Sequence, residues 1–188
     1  MRKVLFIFGT MAALVFVLAV NAAAPPNFAG TWEADKAKSQ NAPRSWQDAQ
    51  SVALVITQTD KQVTLETKVT GGANPAGGPG APGGGPGGPG GGRGGGGMMG
   101  PMTYNLDGTE SSTDSERGKS TSKASWSKDG STLELNVKRT FNSPNGEITA
   151  TTTDKVSLSS DGKVLTIVRH SEGPRGPQDS TLVFNKKS

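Results

Sequence analysis

The sequence predicts an all-β protein, an antiparallel up-and-down meander of about eight or nine strands curled into a barrel or a strongly curved sheet. Three observations carry this. Val63, Leu65, Thr67 and Val69 alternate with Thr64, Glu66, Lys68 and Thr70, and Leu133, Leu135, Val137, Arg139 and Phe141 alternate with Glu134, Asn136, Lys138 and Thr140, the period of a strand with one buried face. The turn Ser127-Lys128-Asp129-Gly130 is repeated as Ser159-Ser160-Asp161-Gly162, each time directly before an apolar strand. Asp accepts local backbone hydrogen bonds and Gly takes the positive φ that closes a tight hairpin; Asp107-Gly108 and Asn145-Gly146 offer two more such turns. No window holds a sustained helical period, and only Trp46 to Gln50 has room for a turn of helix.

In chain order, the first 24 residues read as an export signal. Arg2 and Lys3 give a positive start, Val4 to Val20 is apolar apart from Gly9 and Thr10, and Asn21-Ala22-Ala23-Ala24 supplies small residues for cleavage. As a helix the apolar run reaches about 25 Å, short of the roughly 30 Å hydrocarbon core of a bilayer. The expectation is therefore removal rather than anchoring, with the mature protein in the periplasm or outside the cell. The chain has no cysteine, which excludes disulfides, thiol nucleophiles, cysteine-bound zinc and lipid attachment through an N-terminal cysteine, and suits a bacterial envelope. Without Arg2 and Lys3 the 20 basic residues fall to 18 against 16 acidic, too slight an excess to imply nucleic acid.

Residues 25–70 form the first part of the β-domain, with strands expected at Phe28 to Ala34, Val52 to Gln58 and Val63 to Thr70. Residues 71–101 are expected to be a disordered insertion. Between 71 and 100 there are 18 Gly and 5 Pro, Arg93 is the only charge, and nothing larger than Ala is apolar before Met98 and Met99. Such a stretch buries too little surface to offset its ordering entropy and lacks the strict Gly-every-third spacing of collagen. Lengthening a loop costs only about 0.6 kcal/mol per doubling, so the strands on either side can still pair. Residues 102–188 hold the remainder, with strands expected at Thr103 to Leu106, Ser120 to Ser127, Leu133 to Phe141, Ile148 to Leu158, Val164 to Arg169 and Thr181 to Asn185. The polar stretch Ser111 to Ser122 reads as an exposed loop or edge.

Phe28-Ala29-Gly30-Thr31-Trp32, a Gly-x-Trp on the opening strand, resembles the signature of lipocalins and their calycin-type relatives. With Leu106-Asp107-Gly108-Thr109-Glu110 in the middle and the late Leu158-Ser159-Ser160-Asp161-Gly162-Lys163, the chain is similar to small exported lipocalin-like proteins of bacteria that mostly lack an assigned function. The resemblance implies a barrel whose closed end is crossed by Trp32, with Arg169 as the arginine that lies over it. It departs from the family in having no cysteine and no helix after the last strand.

The leading expectation for function is a non-enzymatic binding protein that takes a small apolar or amphipathic ligand into the barrel. The interior would be lined by Trp32, Leu54, Ile56, Leu65, Tyr104, Trp126, Leu135, Val137 and Phe141. The plainer reading of the same side chains is that they fill the interior; the many Ser, Thr and Ala positions argue for a void. The other class considered is an envelope interaction or structural protein that uses the glycine-rich loop or an exposed sheet edge. No catalytic residue, metal ligand or cofactor is expected. His170 is the only histidine, and its neighbour Ser171 points to the opposite face of a strand. The carboxylate pairs Asp107 with Glu110 and Asp114 with Glu116 fit turn chemistry, and Gly92-Arg93-Gly94-Gly95 carries a single arginine where nucleic-acid binding needs a run of charge. The expected partners reduce to one small hydrophobic ligand, with no nucleic acid, no membrane insertion once the signal is removed, and a monomeric state.

Overall fold

A computed structural model describes residues 25–71, 100–115, 118–143 and 146–187. The export signal expected over residues 1–24, and residues 72–99 of the expected insertion, lie outside these. Ten antiparallel strands form one sheet: β1 (Gly30–Ala34), β2 (Ser51–Gln58), β3 (Gln62–Thr70), β4 (Met102–Asn105), β5 (Ser111–Ser115), β6 (Gly118–Trp126), β7 (Thr132–Ser143), β8 (Gly146–Leu158), β9 (Val164–Glu172) and β10 (Gln178–Lys186). The spatial order β4-β3-β2-β1-β10-β9-β8-β7-β6-β5 is a meander whose first and last strands pair, so the sheet curls into a nearly closed barrel. The remaining seam lies between β4 and β5, where side chains span the gap: Asn105 Nδ2 donates to Ser111 Oγ at 3.0 Å.

The strand absent from the sequence reading is β5, Ser-Ser-Thr-Asp-Ser, at the edge of the sheet. It has no apolar residue to mark a buried face, and it exists through its ladder to β6, Ser111 opposite Ser122 through Ser115 opposite Gly118. Among the described residues the single 3-10 turn lies at Arg44–Trp46, just before the Trp46 to Gln50 stretch where a helical turn was expected, and shares only Trp46 with it.

Both Ser-x-Asp-Gly turns are built the same way. Gly130 and Gly162 take φ of 71° and 68°, and their amides donate to the carbonyls of Ser127 and Ser159 at 2.9 and 2.8 Å. The Asp129 and Asp161 carboxylates accept from Ser131 and Lys163 amides one residue beyond each glycine. Ser127 and Ser159 also accept, through Oγ, from the amides that open β7 and β9. Local chemistry thus sets the register of β6 with β7 and of β8 with β9, and register decides which side chains face inward.

The inward faces do not fill the barrel evenly. At one end Trp32, wholly buried, packs with Phe28, Ile56, Val63, Leu133, Val156 and Leu165. Trp32 Nε1 donates to the Phe28 carbonyl at 2.9 Å, and the Phe28 ring stacks on Trp126 with centroids 5.9 Å apart. Gln58 fastens the segment before β1 by accepting from the Phe28 amide at 2.9 Å and donating to the Pro26 carbonyl at 3.2 Å. This end is a solid plug; removing a side chain the size of Trp32 from such packing costs about 3–5 kcal/mol.

Toward the other end the same strands turn polar. The inward positions of β7 run Leu133, Leu135, Val137, Arg139, those of β8 run Val156, Asp154, Thr152, and those of β9 run Leu165, Ile167, Arg169. The long connection between β1 and β2 folds onto the barrel here. It is held by the bridge between Gln40 and Thr181, by Lys36 Nζ donating to the Ala49 carbonyl, and by Trp46 set edge-on to Phe184 at 5.6 Å.

Candidate functional site

Above the plug lies a cavity of about 260 Å³. Leu54 of β2, Leu65 of β3, Val137 of β7, Ile167 of β9 and Leu182 and Phe184 of β10 form its apolar wall, with Trp46 and Pro43 closing over it from the β1–β2 connection. Tyr104 of β4, Thr67 of β3, Arg139 of β7, Thr152 and Asp154 of β8 and Arg169 of β9 supply its polar part, with the Met102 side chain of β4 beside them. The spacing follows from the pleat: two residues beyond an apolar inward position is another inward position, and at this height the chain places Arg139 after Val137 and Arg169 after Ile167.

Asp154 is 6% exposed, the one buried charged residue among those described. Arg169 lies directly across from it in the β8–β9 ladder and grips both of its oxygens, Nε to Oδ1 and Nη2 to Oδ2, each at 2.7 Å. Burial works against the Arg169 charge, but the hydrogen bonds and field of Asp154 outweigh it and raise its pKa above the ordinary arginine value. Tyr104 is buried beside this pair. Loss of water, with the Asp154 charge adding to it, pushes its phenol up to about 12, so it stays a neutral hydroxyl at physiological pH.

Arg139 stands differently. Burial lowers its pKa, Tyr104 opposes that shift and the like charge of Arg169 adds to it. Among the described residues its side chain makes one hydrogen bond, from Nη2 to the Met102 sulfur at 3.9 Å, a weak acceptor. Among the described residues no carboxylate comes within 4.0 Å of it.

Of the nine residues expected to line the interior, Leu54, Leu65, Tyr104 and Val137 line the cavity. Trp32, Ile56 and Leu135 are buried in the packed core, and Trp126 packs against it. Phe141 is 42% exposed, since β7 runs on past the barrel wall. The expected stacking of Arg169 over Trp32 is not what the structure has. The cation over the Trp32 ring is Lys186, 5.4 Å from its centroid and directly across the β1–β10 ladder, while Arg169 is committed to Asp154. Alternation placed Arg169 on the inner face but left its height open. Lys186 pairs at the level of Lys163, and Arg169 lies six residues further along β9.

No known protein family, curated protein or solved structure matches the chain. The chemistry of the site therefore rests on its own geometry. His170 faces outward, its Nδ1 2.6 Å from Asp179 and its Nε2 3.4 Å from Glu172, and it has no part in the cavity. Asp107 is engaged with the Thr109 amide and hydroxyl as a turn. Among the described residues the cavity wall carries one carboxylate, Asp154, already held by Arg169. Sequence reasoning missed Arg139 and Asp154 as site residues, although Arg139 stands in the inward series Leu133, Leu135, Val137 and Asp154 shares a face with Val156.

Proposed function

We propose that this protein is a non-enzymatic, lipocalin-like binding protein that holds a small apolar or amphipathic molecule inside its barrel. The reading draws on its N-terminal sequence for export to the periplasm or beyond. One observation carries it: a barrel plugged at one end by Trp32, Phe28 and Trp126 keeps a cavity of about 260 Å³ above the plug instead of filling it. Burial of apolar ligand surface supplies the affinity, at about 25 cal/mol per Å². The wall of Leu54, Leu65, Ile167, Leu182 and Phe184 supplies the surface that meets it.

Trp46 lines the cavity, so a ligand there alters its emission. The test is a fluorescence titration of the purified protein with 1-octanol, coupled to thermal unfolding and to mass spectrometry of whatever copurifies. Quenching or a spectral shift, a rise in Tm and a defined small molecule in the extract support the reading. Unchanged fluorescence, unchanged Tm and an empty extract overturn it.

A further inference from the structure

The charges in the cavity do not balance. Its wall carries two guanidinium groups, Arg139 and Arg169, and one carboxylate, Asp154. Tyr104 is neutral and contributes a hydroxyl. Both Asp154 oxygens are taken by Arg169 at 2.7 Å, which among the described residues leaves Arg139 with a methionine sulfur and the cavity wall with an excess of one positive charge beside its apolar side. An arginine does not lose its proton in a protein, so titration is no escape from that excess. A cation held part-way out of water without a counter-charge is a standing cost to the empty fold, and a ligand anion removes it.

The arrangement also limits the anion. A single uncompensated charge matches a monoanion, and the planar fork of Arg139 matches a carboxylate by two parallel hydrogen bonds. Trp46, Leu54, Ile167 and Leu182 give the wall an apolar side that calls for an apolar body, and Thr67 and Thr152 add neutral hydroxyls but no further charge. A volume of about 260 Å³ lies near the lower end of the roughly 300–1,000 Å³ range of small-molecule pockets and so calls for a small ligand. We infer that the cavity is a site for a small monocarboxylate amphiphile, of medium chain length or with one aromatic ring, whose carboxylate is held by Arg139 and whose apolar body lies against Trp46, Leu54, Ile167 and Leu182. This deepens the proposed function and rests on it. Asp154 and Arg169 are then positioning residues: their mutual grip keeps the carboxylate of Asp154 from neutralising Arg139 first.

The test compares three eight-carbon probes of one shape and different charge, octanoate, 1-octanol and octylammonium, by calorimetric titration at pH 7 and low salt. Octanoate is expected to bind about tenfold or more tightly than octanol, the scale of a charge-assisted hydrogen bond, and octylammonium most weakly. In Arg139→Gln the preference for octanoate over octanol disappears while octanol binding stays. In Arg139→Lys a reduced preference remains, because the charge is kept and the fork lost. Far-UV circular dichroism establishes that each variant is folded; should Arg139→Gln unfold, the wild-type ranking and its loss in high salt decide the matter. Octanol binding as tightly as octanoate to the wild type, or an undiminished octanoate preference in folded Arg139→Gln, overturns the anion assignment and leaves the binding reading standing. If none of the three probes binds, the binding reading falls and takes this inference with it.

Discussion

Replacing Asp154 by Asn removes one charge from the barrel wall and almost no volume. In the native protein the Asp154 carboxylate is nearly sealed from water and both oxygens are held by Arg169. After the substitution two guanidinium groups face one cavity with no anion between them. Breaking a fully buried pair costs about 3–5 kcal/mol. The Arg169 side chain, however, keeps 36% of its surface in contact with solvent, so water takes up part of the stranded charge. The expected loss is therefore about 2 kcal/mol, or a fall in Tm of about 6–8 °C for a domain of this size. Thermal and urea unfolding of Asp154→Asn, Arg169→Gln and the double variant give the coupling directly, and we expect the double variant to lose about 1–2 kcal/mol less than the sum of the singles. The same change raises the cavity charge from +1 to +2, so Asp154→Asn should bind octanoate more tightly than the wild type even as it becomes less stable. A Tm within about 1 °C of wild type and additive single effects would refute the view that this pair holds the wall together.

Three more outcomes follow from the structure. The chain has one tyrosine, so absorbance near 295 nm follows Tyr104 alone; its midpoint should lie at about 12, and ionisation near 10 with the circular dichroism unchanged would show the phenol to be in water. Hydrogen bonds to Asp179 first and Glu172 second raise the pKa of His170 above 6.5, so its NMR titration should have a midpoint above that value and fall back in Asp179→Asn; the stability it contributes is full below about pH 6.5 and is lost as pH rises through the folded midpoint, and a wild-type midpoint at or below 6.5 would contradict this. Gly118 has φ of 137°, and a Cβ there would stand 1.9 Å from the Thr140 carbonyl oxygen, so Gly118→Ala should destabilise by at least about 1–3 kcal/mol in urea unfolding, whereas a neutral result would mean that β6 does not approach β7 this closely.

The architecture was legible in the sequence where one face of a strand is apolar. Alternation in 63–70 and 133–141 and the paired Ser-x-Asp-Gly turns give the meander, its hairpins and its inward faces. It was not legible where neither face is apolar, as in Ser111–Ser115, whose strand state comes entirely from pairing with β6. Alternation also fixes a side chain's face but not its height in the barrel, which depends on the register between strands distant in sequence. This is why Arg169 was placed on the correct face and with the wrong partner, and why Lys186, two residues beyond Phe184 on the same face, escaped notice over the Trp32 ring. Trp46 went unassigned for a different reason. It lies in a connection, where no periodicity says what a side chain will touch, and only its edge-on contact with Phe184 brings it over the cavity.

The pairing of β1 with β10 bears on how the molecule is made. Trp32 sits between Leu54 on one side and Lys186 on the other, so its surroundings are incomplete until β10 has been synthesised. An unfinished chain carries two bare strand borders and an uncovered indole, the features that invite aggregation, and the slow, long-range closure comes last. Shortening the C-terminus by a single strand would thus leave the early hairpins able to form but with nothing to seal them.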